Sequence, residues 1–302
     1  MEGYHKSVLL REVIENLKVK KGKWYLDCTL GDGGYSLEIL KLGGRVLGID
    51  VDPQALDRTK QRLGELGYLE NIRFVQGNFR DIENLIETQA ELADQKVGAK
   101  HSLAGVVFDL GVSSLQLETP ERGFSFGKEG PLDMRMDPSL GIKAWDLVNN
   151  LSRKELYELF KTLGEEKYSW NLAGAVELAR QVKPFSTTIE LANLAKRVVK
   201  DKKGDIHPAT RMFQALRMAT NDELGALKEG LDKIKENVEK NGCIIVISFH
   251  SLEDRIVKLA FREWEHQGLG KILTEKPVVP QEGEIRDNPR SRSAKLRVFE
   301  IG

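Results

Sequence analysis

The sequence contains no run of about 18 consecutive apolar residues, so no membrane-spanning helix is expected. It has only two cysteines, Cys28 and Cys243, each in an apolar strand-like stretch and neither near clustered histidines. Such isolated thiols read as core residues, and no metal site is expected. They suit a reducing, cytoplasmic setting. Charge of one sign is also lacking: 46 acidic residues balance 46 basic ones. Bulk charge therefore does not mark a nucleic-acid binder, although a neutral total leaves room for a local basic surface. The opening stretch MEGYHKSVLLREV is too mixed in charge for a signal peptide. Internal repeats and low-complexity segments are absent.

What is present is an alternating pattern. Apolar runs at 24–28, 45–50, 72–76 and 103–110 read as buried strands, and helix-like segments at 37–42, 53–66 and 82–92 separate them. Such alternation predicts a parallel, doubly wound α/β sheet. From Ser113 to about Asp137 the chain turns rich in Gly, Pro and Phe, and helices follow. Ser152 with Glu155 and Thr187 with Glu190 form capping boxes. Residues 113–206 read as a mostly helical insertion, with 1–112 and 207–302 forming the sheet domain. In the returning part, Leu224, Leu227, Leu231, Ile234 and Val238 keep helical spacing, with Gly242 as the stop. A fifth strand is expected at 243–248, a helix at 252–264, and a closing hairpin-like pair at 271–279 and 295–301.

The first strand runs into Thr29-Leu30-Gly31-Asp32-Gly33-Gly34-Tyr35-Ser36 and then a helix. Strand, glycine loop and helix together form a nucleotide-binding geometry. Asp50 ends the next strand, about 20 residues on, where a carboxylate accepts hydrogen bonds from ribose hydroxyls. A dinucleotide is disfavoured. The G-x-G-x-x-G spacing fails at Ser36, and Asp27 and Asp32 would repel a pyrophosphate. The same carboxylates attract S-adenosylmethionine, which carries a sulfonium and an ammonium and no phosphate. Asp109 ends the fourth strand and points toward the same crevice, or else caps the next turn.

Eight stretches, in order, resemble one family: HKSVLLRE (5–12), DCTLGDGGYS (27–36), DLGVSSLQ (109–116), RGFSF (122–126), GPLDMRMD (130–137), HPATR (207–211), SFHSLEDR (248–255) and NPRSRSAKLR (288–297). This set is similar to the bacterial small-subunit (16S) ribosomal RNA cytosine-N4 methyltransferase family (MraW/RsmH). The resemblance implies a class I, Rossmann-like methyltransferase sheet with an inserted helical substrate-recognition domain. It implies S-adenosylmethionine as cofactor, and small-subunit ribosomal RNA, within the assembled subunit, as partner. The methyl acceptor would be the exocyclic N4 of one cytidine in the decoding region. The family's cofactor contacts carry over onto Gly33, Gly34, Tyr35, Asp50, Phe79, Asp109 and Gln116. Tyr35 stands where the family usually has His, Ser7 where Pro is common, and Glu129 where Asp is common.

Methyl transfer to an amino nitrogen mainly requires alignment of nitrogen, methyl and sulfur. The Asn/Asp-Pro-Pro-aromatic motif of many amino methyltransferases is replaced by Asp109-Leu110-Gly111-Val112, so no catalytic base is assigned. The target base has to be unstacked into a pocket. Phe124 and Phe126 are candidates for stacking or for local packing, and Asp133 and Arg135 for substrate contact or a hinge ion pair. His207 and Arg211 suit RNA contact or a structural cap. His250 would line the base pocket, while Ser251 and Asp254 form a capping box. Two basic clusters are candidate phosphate contacts or solvated faces. One holds Arg290, Arg292, Lys295 and Arg297, the other Lys196, Arg197, Lys200, Lys202 and Lys203. A nicotinamide oxidoreductase and a non-catalytic RNA-binding protein are the competing classes. A hydrolase lacks its G-x-S-x-G elbow, and a cytosine deaminase lacks H-x-E and P-C-x-x-C.

Overall fold

The structure is a computed structural model that describes residue 4 and residues 6–92, 102–199 and 207–302. Its contacts divide into two compact units, residues 1–111 with 224–302, and residues 112–223.

The first unit holds seven strands: β1 (Trp24–Asp27), β2 (Arg45–Asp50), β3 (Ile72–Gln76), β4 (Leu103–Asp109), β5 (Val238–Ser248), β6 (Gly270–Ile272) and β7 (Lys295–Ile301). They form one sheet in the order β3-β2-β1-β4-β5-β7-β6. Strands β1 to β5 are parallel, while β7 runs antiparallel to β5 and β6. This is the class I methyltransferase sheet. Both faces are covered, which explains why the strands read as continuous apolar runs rather than alternating ones. On one face Val13 and Leu17 of helix Leu10–Leu17 and Ile39 and Leu40 of helix Gly34–Lys41 pack on Val46, Val107 and Ile245. On the other, Leu227, Leu231, Val257, Phe261 and Trp264 cover Leu26, Leu47, Val106 and Val246. Cys28 and Cys243 are buried, unpaired thiols in these two cores, as their settings predict.

The second unit is helical. Leu156 and Phe160 of helix Arg153–Thr162, Leu172 and Val176 of helix Ser169–Val182, and Leu191 and Ala195 of helix Thr188–Val198 share one core. Met212, Phe213 and Leu216 of helix Thr210–Asn221 lie in that same core. The chain therefore re-enters the sheet unit at Leu224, not at 207. The apolar face of that helix has its partners in the insertion, a preference that periodicity alone does not show. The expected boundary at 206 lies outside the described residues.

Three further expectations are corrected. The helix before β5 ends at Ile234, and Val238 is already in the strand, paired with Leu103. Asn241, at φ 64°, then kinks the strand, and Cys243 pairs with Gly105. The apolar period ran on past the helix because Val238 is buried for a different reason. The segment 271–279 is not a strand throughout. β6 covers three residues, and Val278 returns only as an isolated bridge to Leu296. The box at the start of helix Ser251–His266 is made by His250 and Glu253 rather than by Ser251 and Asp254.

Candidate functional site

The carboxyl ends of β1, β2 and β4 lie side by side, with β1 between the other two. The strand order reverses there, which opens the crevice where sheets of this kind bind ligands. Three carboxylates end these strands: Asp27, Asp50 and Asp109. The loop after β1 bends through Gly31 (φ 50°) and Gly33 (φ 69°) before helix Gly34–Lys41 begins. A Cβ on Gly33 would stand 2.5 Å from Thr59 Cγ2, so both conformation and space call for glycine. Thr59 donates to the Gly31 carbonyl and ties the loop to helix Pro53–Glu65.

The carboxylates have different jobs. Asp27 is fully buried and turned inward, accepting from Ser36 Oγ at 2.7 Å and from the Thr29 amide at 3.3 Å. It holds the loop. Burial pushes its pKa up to about 6, against the pull of those hydrogen bonds. Asp50 accepts from the Gly31 amide at 2.8 Å and the Asp52 amide at 2.9 Å. Each oxygen keeps a second lone pair for a ligand hydroxyl. Desolvation places it near 6 as well. Asp32 is paired with Arg58 at 2.8 Å. The expectation that Asp27 and Asp32 supply the loop's negative field is therefore corrected. One is turned into the core and the other is neutralised by a helix distant in sequence.

Asp109 is tied to the loop through its amide, which donates to Thr29 Oγ1 at 2.7 Å. Its Oδ2 lies 3.1 Å from the Tyr35 phenol oxygen, and that phenol donates to the Val8 carbonyl at 2.6 Å. One phenolic proton cannot serve both acceptors, and a carbonyl can only accept. A proton on Asp109 Oδ2 satisfies both contacts. Burial, helped by the negative charges of Asp27 and Glu253, raises Asp109 to about 7. Asp109 Oδ1 is buried and has no hydrogen-bond partner. A lone buried acceptor beside a glycine cradle fits a cationic ligand that carries N–H donors.

The other candidates fall as follows. Tyr35 is buried, with its side chain committed to Val8 and Asp109, so any ligand contact there is through its backbone. Gly34 leaves room that a Cβ would take from Ser7, at 1.9 Å from its Oγ. Phe79 follows β3, and Gly77 hydrogen-bonds the Asp50 carbonyl at 3.0 Å, which brings that turn beside β2. The Phe79 ring meets Phe108 edge-on at 5.5 Å. His250 follows β5, and its Nδ1 accepts from the Glu253 amide at 3.3 Å. Arg292 is exposed in the turn Pro289–Ser293. Arg297 is instead buried in β7, paired with Asp254 at 2.7 Å, and Lys295 reaches the same carboxylate at 3.6 Å. Those two are not free phosphate ligands, because both are paired with Asp254.

In the helical unit, Gln116 closes a capping box with Ser113, accepting from its amide at 3.1 Å. Asp133 and Arg135 form a bidentate pair at 2.7 and 2.9 Å, and Arg135 also donates to the carbonyls of Pro138 and Leu140. His207 stacks on Phe126 at 4.5 Å, and Arg211 donates to the Glu165 carbonyl at 2.8 Å. Phe124 is buried in the helical core. These groups are occupied in building the unit. Of the basic clusters, Lys196 and Arg197 are exposed at the end of helix Thr188–Val198, while Lys200, Lys202 and Lys203, like His5, lie outside the described residues. The sequence reading missed Thr29, Ser36, Thr59 and Arg58, which hold the loop. Only Thr29 and Ser36 carried a signal, as hydroxyls flanking the glycines.

The profile of the MraW methylase family matches residues 2–302. A ribosomal RNA small subunit methyltransferase H from Halothermothrix orenii is 44% identical, over 98% of this chain and 98% of its own length. One of the same name from Persephonella marina is 45% identical, over 97% and 98%. The crystal structure of an rRNA methylase from Streptococcus thermophilus overlaps at a TM-score of 0.46 with 12% identity, over 99% of both chains. No helix among the described residues is long and apolar enough to cross a membrane. With the profile matched along its length, and with the crevice built at the strand ends where that fold binds its cofactor, the chain belongs to the MraW methylase family and is an S-adenosylmethionine-dependent methyltransferase.

Proposed function

We propose that the protein methylates the exocyclic N4 of one cytidine in the decoding region of small-subunit ribosomal RNA, acting in the cytoplasm on the assembled subunit. The observation that carries this reading is the family match over residues 2–302, joined by relatives named for the small ribosomal subunit. The unit of residues 1–111 and 224–302 holds the donor, and the helical unit receives RNA.

Bound S-adenosylmethionine supplies an electrophilic methyl group on a positive sulfur. Asp50 would hold the ribose, the backbone from Gly33 to Tyr35 would line the donor's approach, and Asp109 would offer its free oxygen to a cationic group. Phe79 and Gln116 remain further cofactor candidates. The sheet orients the donor, and alignment with the amino nitrogen supplies much of the rate. Asp133, Arg135, His207, Arg211, His250 and Arg292 are the substrate-side candidates, and Arg292 has the freest side chain of these.

The test uses the full chain, labelled S-adenosylmethionine and small subunits from cells lacking this gene. Label is expected on one cytidine, at N4, by nuclease digestion and mass spectrometry. Label on another atom or another nucleotide, or none while donor binds, would overturn the assignment.

A further inference from the structure

We propose that the helical unit carries a binding surface for single-stranded RNA, formed by Arg153, Tyr157 and Lys161 on one helix and Trp170 on the next. The proposal rests on RNA being the substrate.

Arg153, Tyr157 and Lys161 stand four residues apart along helix Arg153–Thr162, so they share one face. The order is cation, aromatic, cation. Trp170, in the first turn of helix Ser169–Val182, closes the stripe. Its indole meets the Tyr157 ring edge-on at 5.2 Å and 86°. The Arg153 guanidinium lies over the indole at 4.2 Å, and the Lys161 ammonium lies 5.0 Å from the Tyr157 ring. Gly174 makes room for this layer, since a Cβ there would come within 2.9 Å of Arg153 Nη2.

Two features separate this stripe from an ordinary charged surface. Trp170 is 49% exposed, so a large flat ring is held rigid and open to solvent. Neither Arg153 nor Lys161 is ion-paired among the described residues, and Arg153 Nε is buried without a hydrogen-bond partner. Most other arginines of this unit are spent: Arg122 and Arg180 on carbonyls, Arg135 and Arg217 on carboxylates. Arg153 is instead held over the Trp170 indole, with no carbonyl or carboxylate taking its donors among the described residues.

A pre-set cation beside an open aromatic face suits a flexible polyanion that carries flat bases. A base stacks on the free face of Trp170, and phosphates lie against Arg153 and Lys161. Lys154 and Lys167, close by in sequence, are exposed as well. A protein partner would need an apolar patch or acidic groups at fixed places. An RNA strand needs only a base and its neighbouring phosphates.

The test measures binding of a fluorescein-labelled, unstructured pyrimidine RNA of about 12 nucleotides to the full-length protein by anisotropy, across about 50–200 mM salt. Trp170→Ala is expected to weaken binding about tenfold with an unchanged salt slope, because stacking releases no counterions. Trp170→Phe should recover most of that loss. The Arg153→Gln, Lys161→Gln pair should flatten the slope by about 1.4, roughly 0.7 for each phosphate contact on a single strand. Thermal melting and donor binding, run on every variant, should match the parent. Wild-type affinity and slope in folded variants would overturn the surface. Methylation of small subunits by the parent is scored separately. Its failure would sink the RNA-methylation reading, whereas variants that bind RNA normally would sink only this surface.

Discussion

The acidity of Asp109 makes a quantitative prediction about the donor. The side chain titrates near 7, and its Oδ1 is buried without a hydrogen-bond partner. A cationic donor prefers the ionised form, and apparent affinity scales with the fraction in that form. With an acidity near 7, roughly three-quarters of Asp109 is ionised at pH 7.5 and about a tenth at pH 6. Binding of S-adenosylmethionine should therefore weaken about eightfold over that interval, or about 1.2 kcal/mol. Asp50, near 6, adds at most about a factor of two if it too must be charged. Isothermal titration at the two pH values measures this directly. Asp109→Asn is the control: its affinity should be lower at pH 7.5 and nearly flat with pH. The donor's own amino group titrates in both proteins and drops out of the comparison. Equal affinity at pH 6 and 7.5 in the parent, or the same slope in the Asn variant, would refute the reasoning.

Three other outcomes are expected. Tyr35→Phe strands the Val8 carbonyl, at a cost of about 1–3 kcal/mol in chemical denaturation. Unchanged stability would show that the phenol's bond to Val8 carries no weight. Gly33→Ala should cost about 1–3 kcal/mol and weaken donor binding, because φ is 69° and the new methyl meets Thr59 Cγ2. Adding Thr59→Ser, which removes that methyl, should return part of the loss. Arg297→Leu leaves Asp254 without its main partner and should cost about 3–5 kcal/mol at pH 7. Although burial opposes its charge, Arg297 and Lys295 hold Asp254 below the usual carboxylate range, so the pair's stabilisation is complete above about pH 4 and fades as pH falls further. Variant and parent should therefore converge in acid melts. Asp27, Asp50 and Asp109 act the other way. Their raised values favour the folded state most below about pH 4, and that contribution is lost as pH rises from there through about 6 to 7.

Strands β1 to β4 and the apolar half of β5 were legible because a parallel strand covered on both faces reads as an unbroken apolar run. The glycine loop was legible because positive φ selects glycine. What failed was whatever depends on distant partners. Val238 kept helical spacing yet pairs with Leu103 in the sheet. Arg58 neutralises Asp32 from another helix, and nothing in the loop's own residues marks it. Helix Thr210–Asn221 is amphipathic whichever unit receives it, so its place in the helical core had no signal. His250 caps with a ring nitrogen where hydroxyls and carboxylates are usual, which hid the box it makes with Glu253.

The hold on Val8 has a consequence for how the protein is made. The residues around it are fastened by others far along the chain: the Leu9 amide donates to Glu284 at 2.7 Å, and Asn288 donates to the Lys6 carbonyl at 3.1 Å. At about 5–20 residues per second of synthesis, those partners leave the ribosome many seconds after Val8 does. The phenol of Tyr35 therefore gains its acceptor late, and a nascent chain that has already formed its glycine loop is not yet a competent donor site. On this order the cofactor site is complete only after translation has passed Asn288.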